Sequence, residues 1–443
     1  MSQRRQLQFA FVSKAYTGTS DAPTPRAGMR LIADAAHKRG VPVTWIVNVR
    51  NTADMRDELT QWHEKFGDAV VMEAVIYPDR PWRESLAADR DAMRRLLPWC
   101  DVSVVGRGGG KNEALVAALE DLGFAGLWGY CWHQVGTDGI TDRGCPIGMY
   151  YVSRDSYKIP PSYPGKIVGI EWISRDCTRT FLSGNPCHFA PEPNGVIWAG
   201  LPDSYFADVL QSHIENVQHN PYLPFILEEE AAEIDGSVGG YEEICAEMLR
   251  LLEVFFAHAA ATADVNLTTV PEMVHAYRHA FRDTAPMLLM YGDKPLESVR
   301  DLPGSRPHLI KISQQFSQTS PKHAFYFDKD VQMVFREGRA LPVHAYIYTA
   351  KTAADIQTIY PDERDLPTDE RVAWDNGSNR RCATVTFTAP KDMPGGVVLW
   401  GDFNGWVPAP SSNGAWIARD RVAFVKVPFV AGHNRVRVEF VRA

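Results

Sequence analysis

Between residue 7 and about residue 275, short apolar runs alternate with segments whose apolar residues recur every three or four positions. After the first run, Met29, Ile32 and Ala36 fall on one helical face, and residues 41–47 form the next run. This alternation is typical of parallel βα units. It predicts seven or eight strands, at residues 7–12, 41–47, 69–76, 102–105, 124–130, 167–173, 223–227 and 265–269.

Local signals place several helix ends between these strands. Thr24 before Pro25 predicts an N-cap followed by proline at the first helical position, and Gly40 predicts the end of that helix. Asn112 predicts a second N-cap. Seven or eight such units fit a closed or nearly closed (β/α)7–8 barrel better than an open sheet, so we assign a barrel domain to residues 1–285.

The pattern changes to β after residue 285. Apolar runs at residues 287–291, 324–327, 331–335 and 343–348 are separated by Pro and Gly, which predicts a β-rich middle region. Residues 355–381 are polar and rich in turn formers, as in a linker or long loop. We therefore divide the remainder into a β-rich region with a linker, residues 286–381, and a separate C-terminal module, residues 382–443.

The composition limits the kinds of partner that the protein can bind. A hydrophobic share of 45% and a charged share of 23% in 443 residues are those of a soluble globular protein. The net charge of −8 argues against nucleic acid, and no apolar run is long enough for a membrane helix. Seven scattered cysteines without a C-x-x-C pair predict reduced thiols in a cytoplasmic protein. The oligomeric state is left open.

Candidate chemistry lies where the predicted strands end, because catalytic groups of a βα barrel project from the carboxyl ends of its strands. These ends are rich in carboxylates and aromatic rings, which suits glycoside hydrolysis by one protonated and one ionised carboxyl. The predicted catalytic residues are Glu171 with one of Asp138, Glu73 or Glu229. The predicted substrate-binding residues at the same ends are Asp21, Arg107, Trp132, His133, Trp172 and Asp176.

Glu171 is the first choice because a carboxylate within an apolar strand is costly unless it is paired or used. The alternative is a structural ion pair with Arg107 or Arg175. Asp138 lies among turn formers and is open to interpretation as a turn residue. The long segment that begins at Trp132 is predicted to cover the site, because long loops in compact domains are usually functional.

Near the C-terminus, residues 397–406 read Val-Val-Leu-Trp-Gly-Asp-Phe-Asn-Gly-Trp. This sequence predicts a strand and a tight Asn-Gly turn. It resembles the glycogen-binding and starch-binding modules of α-glucan enzymes, which implies an immunoglobulin-like β-sandwich over residues 382–443 and a carbohydrate partner. Trp400 is interpreted as a core residue. Trp406 is a candidate sugar-stacking platform, with a core position slightly favoured.

The first barrel segment, with Thr-Ser-Asp at residues 19–21 and Gly-Val-Pro-Val-Thr-Trp-Ile at residues 40–46, resembles the polysaccharide deacetylase (NodB-like) barrel. Residues 112–124 resemble a helix of that family, with Arg107 in the place of its loop arginine. The family's Asp-Asp pair and H-x-x-x-H metal motif are both missing. The related family 57 glycoside hydrolases use two carboxylates and no metal.

These resemblances imply a carbohydrate-active hydrolase, with an oligosaccharide or polysaccharide as substrate. The first interpretation is a glycoside hydrolase that needs no metal or other cofactor. One alternative is a divergent deacetylase with a divalent metal near Asp21 and His133. The other alternative is a barrel that binds a glycan without catalysis.

Overall fold

The computed structural model describes fourteen segments, which together form two compact units. The described residues up to Ala285 form one unit, and those from Pro286 onward form the other. Within the described part of the chain, no helix has the length and apolar character needed to cross a bilayer. The described residues are 5–15, 22–107, 112–130, 146–155, 157, 160–161, 163–178, 190–198, 200–291, 323–329, 332–336, 346–347, 367–418 and 422–443.

The first unit is built on one curled sheet. Eight of its strands lie in the order β6-β7-β5-β4-β3-β2-β1-β8, and β9 pairs with the first half of β1. All pairings are parallel except that of β6 with β7. The strands are β1 Leu7–Lys14, β2 Val43–Val47, β3 Ala69–Glu73, β4 Val104–Gly106, β5 Gly126–Tyr130, β6 Met149–Val152, β7 Ile167–Glu171, β8 Pro224–Glu228 and β9 Val265–Leu267.

Helices connect most of these strands. The Asn112 side chain accepts a hydrogen bond from the Leu115 N–H, which confirms the predicted cap. The Thr24 cap is wrong, because the Thr24 hydroxyl donates to Asp54 instead. The described helices are α1 Arg26–His37, α2 Val49–Asp54, α3 Arg56–Phe66, α4 Trp82–Leu96, α5 Glu113–Asp121, α6 Pro193–Trp198, α7 Tyr205–Ile214, α8 Ala231–Ile234, α9 Cys245–Ala261 and α10 Val270–Ala280.

The inner face of the curled sheet is a continuous apolar core. It is filled by alternate residues of the strands, among them Val12, Val71, Val104, Ile170 and Ile226. Helix α10 contacts β1, β3, β5 and β7 and adds its own apolar side chains to this core. The interior is therefore packed, as in other βα barrels, and leaves only the carboxyl ends of the strands for chemistry.

Ser174, three residues beyond β7, links the two sides of the sheet. Its N–H donates to the Ile226 carbonyl at 2.9 Å, and the Ile226 N–H donates to its Oγ at 3.0 Å. The chain after β7 thus contacts β8 directly, which brings the sheet to a nearly closed barrel. The predicted (β/α)7–8 class is confirmed.

The second unit consists of antiparallel sheets. One contains β10 to β13, and the other two pack as a sandwich with orders β14-β15-β20-β17 and β16-β19-β18. Leu288 and Tyr326 from the first sheet share a core with Val398 and Phe440 of the sandwich. The strands are β10 Met287–Tyr291, β11 His323–Phe327, β12 Gln332–Arg336, β13 Tyr346–Ile347, β14 Thr368–Asn376, β15 Arg380–Ala389, β16 Met393–Trp400, β17 Trp406–Pro408, β18 Ala415–Ala418, β19 Val422–Phe429 and β20 Gly432–Arg442.

Two segments predicted as loops contain strands, and the predicted turn joins two different sheets. Strand β6 lies inside the segment predicted as a long loop, and β14 lies inside the predicted linker, where it pairs with β15. The Asn-Gly turn carries the chain from β16 in one sheet to β17 in the other, so it does not join a hairpin. Gly405 in this turn has φ of 70°, a conformation that favours glycine.

Candidate active site

Three ionisable side chains lie on the inner side of the barrel at the carboxyl ends of its strands. Lys14 follows Val12 by two positions on β1, Glu73 follows Val71 on β3, and Glu228 follows Ile226 on β8. The three apolar residues belong to the barrel core. Because strand side chains alternate between faces, the ionisable residue two positions later faces the same way. Lys14, Glu73 and Glu228 therefore meet at the mouth of the barrel.

Lys14 is the buried cation of this group. Its Nζ lies 2.6 Å from Oε1 of Glu230, and the two side chains are 10% and 6% exposed. Burial by itself lowers the pKa of Lys14. The charges of Glu230, Glu73 and Glu228 outweigh burial and hold this pKa above its usual value. Lys14 is thus a fixed positive charge among three carboxyls.

Glu228 is fully buried, and neither of its carboxyl oxygens has a hydrogen-bond partner among the described residues. Burial raises the pKa of Glu228 well above the usual range, and the charges of Glu230 and Glu192 raise it further. Lys14 and the indole of Trp172 lower this pKa, but by less. The Trp172 N–H does not reach hydrogen-bond geometry with Glu228. Glu228 is therefore set up as a protonated carboxyl that can donate its proton.

Two tryptophans stand beside these charged groups. The Trp172 ring centroid lies 5.6 Å from Lys14 Nζ and 5.9 Å from the Trp128 ring centroid. Both indole N–H groups lack a hydrogen-bond partner in the described part of the chain. The site therefore places two buried indole groups, 0% and 6% exposed, beside the ionisable side chains. Trp172 is one of the predicted substrate-binding residues, and this role stays a prediction.

Arg107 lies next to the end of β3. Its Nη1 donates to the Ala74 carbonyl at 2.9 Å, and its guanidinium lies 5.8 Å from the ring centroid of Trp82. Its backbone N–H donates to the Trp128 carbonyl at 3.0 Å. Arg107 therefore occupies the rim beside Glu73, and its substrate-binding role remains a proposal.

Glu171 does not join the charged group at the mouth. Its neighbour Ile170 faces the barrel core, so Glu171 faces the other side of the strand. The Ser174 hydroxyl donates to Oε1 and the Gly148 N–H donates to Oε2 at 3.0 Å, and Arg175 is its one charged influence of note. This arrangement favours a structural role for Glu171. The Ser174 hydroxyl and the Gly148 N–H bond its oxygens directly, and Arg175 is the nearby cation.

Glu229 belongs to a second acidic group behind the mouth. Its N–H donates to the Val12 carbonyl at 3.1 Å, and its Oε1 accepts from the Glu230 N–H at 3.0 Å. Burial and the charges of Glu233 and Glu192 raise its pKa. Glu233, whose pKa burial raises to about 8, accepts from Asn194 at 2.9 Å.

Two other predicted substrate-binding residues are engaged within the protein. Asp176 is buried and accepts a hydrogen bond from the Tyr205 hydroxyl at 3.0 Å. Trp406 is 5% exposed, with the guanidinium carbons of Arg381 and Arg442 at 4.2 and 4.6 Å from its ring centroid. The Trp406 ring therefore has no open face of the kind that a sugar platform needs.

The remaining predicted site residues, Asp21, Trp132, His133 and Asp138, lie outside the described residues. Within the described segments, no group of three or more His, Cys, Asp or Glu side chains has an arrangement that could hold a metal ion.

The sequence prediction assigns no role to Lys14, Glu228 or Glu230, although all three lie at or just after predicted strand ends. The two-residue spacing from Val12 to Lys14 and from Ile226 to Glu228 is the signal that selects them, because it places them on the core side of their strands.

No family model and no curated protein matches this chain. Among solved structures, it is similar to a 4-α-glucanotransferase from Thermococcus litoralis at 9% identity and a TM-score of 0.42, over 99% of this chain and 100% of that one. A structure from Mycobacterium smegmatis assigned to the polysaccharide deacetylases shares 12% identity, with a TM-score of 0.41 over 63% of this chain and 93% of that one. A family 4 carbohydrate esterase from Streptomyces lividans shares 7% identity, with a TM-score of 0.31 over 60% and 94%. Likenesses of this size carry no argument about family or activity.

Proposed function

We propose that this protein is a glycoside hydrolase in which Glu228 is the general acid and Glu73 is the partner carboxylate. The observation that carries the proposal is the Glu228 carboxyl, which is fully buried at the inner mouth and has no hydrogen-bond partner among the described residues. A buried carboxyl costs stability, so one without a structural partner is a candidate for chemistry. This assignment replaces Glu171 as the first choice.

The two carboxyls have different environments, as glycoside chemistry requires. Burial and the neighbouring anions keep Glu228 protonated. Glu73 interacts electrostatically with Lys14, and a nearby cation favours the ionised form of a carboxyl. The proposal therefore assigns the proton to Glu228 and the negative charge to Glu73.

In the proposed reaction, the Glu228 proton moves to the glycosidic oxygen while the bond between this oxygen and the anomeric carbon breaks. The bonding electrons stay with the leaving oxygen, which departs as a hydroxyl. The anomeric carbon then forms a bond either to a Glu73 carboxylate oxygen or to the oxygen of a water from which Glu73 takes a proton. In the first case water later releases the sugar and Glu228 recovers its proton.

The carbohydrate part of the proposal is supported by the walls of the site. The rings of Trp128 and Trp172 are buried, at 0% and 6% exposure, but their indole N–H groups have no hydrogen-bond partner among the described residues and can donate to sugar hydroxyls. The resemblance of residues 397–406 to starch- and glycogen-binding modules points the same way, although Trp406 itself is buried.

The proposal is tested by incubating purified protein with a panel of oligosaccharides and acetylated oligosaccharides, with and without a strong chelator. We expect reducing ends to appear at a rate that the chelator does not change. Acetate release that the chelator abolishes would instead support the deacetylase. A saturable sugar complex without any product would support the non-catalytic binding protein, and either result contradicts the proposal.

A further inference from the structure

Lys14 acts on more than the partner carboxylate Glu73. It is a buried ammonium that contacts the Glu230 carboxylate at 2.6 Å and interacts electrostatically with Glu73 and Glu228 on two other strands. A buried charge is costly unless nearby groups of opposite charge compensate it. Here one cation lies among the end of β3, the end of β8 and the segment that follows β8.

We infer that Lys14 is a positioning residue that sets the protonation states of both proposed catalytic carboxyls, and this inference rests on the proposed function. Its charge acts on Glu73 and Glu228 through space, while its hydrogen bond to Glu230 and its contact with the Trp172 ring hold the ammonium in place. The positive charge at the mouth is therefore part of the protein itself and stays at a fixed position.

The direction of the effect follows from the charges around the site. The groups that face this cation are Glu73 from β3, Glu228 from β8, Glu230 after β8 and the Trp172 ring after β7, and Glu192 also acts on Glu228. A cation favours the ionised form of each carboxyl. Loss of the Lys14 charge therefore raises the pKa of both Glu73 and Glu228.

The test is the pH dependence of kcat/KM for Lys14→Met, Lys14→Arg and the wild type. For Lys14→Met, we expect both limbs of the bell-shaped profile to move to higher pH by about one to three pH units, the usual effect of a nearby opposite charge. Lys14→Arg keeps the charge and is expected to keep the limbs in place. Arg30→Met is the matched control, because Arg30 pairs with Glu58 at the surface and solvent screens its charge.

Glu230→Gln provides an independent variant with the opposite sign. It removes an anion that raises the pKa of Glu228, so the high-pH limb, which reports the general acid, is expected to move to lower pH. If Lys14→Met does not fold, Lys14→Gln, which removes the charge and keeps a donor for Glu230, is measured in its place. A profile of Lys14→Met or Lys14→Gln that changes only in height would overturn the inference.

A second readout separates this inference from the proposed function. The infrared band of protonated carboxyls can be titrated in wild type and Lys14→Met without any substrate. We expect protonated carboxyls to persist to higher pH in Lys14→Met. If the wild type hydrolyses no glycan but this titration shifts, the proposed function fails and the role of Lys14 stands. If hydrolysis is found but the titration is the same in both proteins, the role of Lys14 fails.

Discussion

Replacing Glu171 with glutamine is expected to stabilise the barrel at high pH and leave it nearly unchanged at low pH. Burial raises the pKa of Glu171 from 4.5 to about 7, against the smaller effects of Ser174, Gly148 and Arg175. Between these two values the folded protein holds a proton that the unfolded chain has lost, so stability falls as pH rises through this window. Above pH 7, a pKa shift of this size lowers the free energy of unfolding by about 3 kcal/mol.

Glutamine can reproduce the contacts of the protonated carboxyl. Its carbonyl oxygen can accept from the Gly148 N–H, and its amide can donate to the Ser174 oxygen. The variant therefore mimics the neutral form of Glu171 at every pH. Near pH 5 its free energy of unfolding is expected to lie within about 1 kcal/mol of the wild type, and near pH 8 to exceed it by up to about 3 kcal/mol.

The assay is urea unfolding of both proteins at the two pH values. Glu64→Gln is the matched control, because Glu64 is exposed on helix α3 and its replacement makes the same change in net charge. The other buried carboxyls are present in wild type and variant alike, so their contributions cancel in the difference. A stability difference between Glu171→Gln and wild type that is the same at both pH values would refute this reasoning.

Two further predictions concern packing. Gly28→Ala is expected to destabilise the barrel by about 1 to 3 kcal/mol in urea unfolding, because a Cβ there would lie 1.8 Å from the Ala231 carbonyl oxygen. Gly195→Ala is the control and is expected to be neutral or stabilising, because the nearest atom to its Cβ would lie at 3.7 Å. Equal effects of the two substitutions would contradict this reasoning. Trp406→Ala is expected to cost the second unit about 3 to 5 kcal/mol, since the ring is 5% exposed, and a variant of wild-type stability would show that the ring is not part of the core.

The barrel could be predicted because its signal is local and repeated. Each strand is a short apolar run, each helix has one apolar face, and the strand bounds agree with the structure to within a few residues. Strand β6 was missed because Met149–Val152 is only four residues long and pairs with a strand that follows it by about fifteen positions. Such an edge strand depends on its partner more than on its own sequence.

The turn at Asn404-Gly405 shows a different limit. Its residues predict a tight turn, and the positive φ of Gly405 agrees with that prediction. Whether the strands on either side pair with each other or join separate sheets depends on the long strands β19 and β20, to which they are hydrogen-bonded. The pairing of these strands therefore depends on the whole sandwich and cannot be read from the turn alone.

The site was predictable in kind but not in detail. Carboxylates and tryptophans at strand ends indicated the mouth, and Glu73, Arg107 and Trp172 lie there. Glu171 was favoured because it interrupts an apolar strand, but sequence does not show that Ser174 and Gly148 satisfy both of its oxygens. Nor does it show that Glu228 has no such donors among the described residues.

Turnover of Glu228→Gln measured beside Glu171→Gln tests the central claim most directly. Both variants replace one buried carboxyl with a group of the same shape, so they differ mainly in which carboxyl is removed. On an oligosaccharide that the wild type hydrolyses, Glu228→Gln is expected to lose about 10² to 10⁴ in kcat, while Glu171→Gln keeps most of the wild-type rate. Loss of turnover in Glu171→Gln with activity retained in Glu228→Gln would contradict the account.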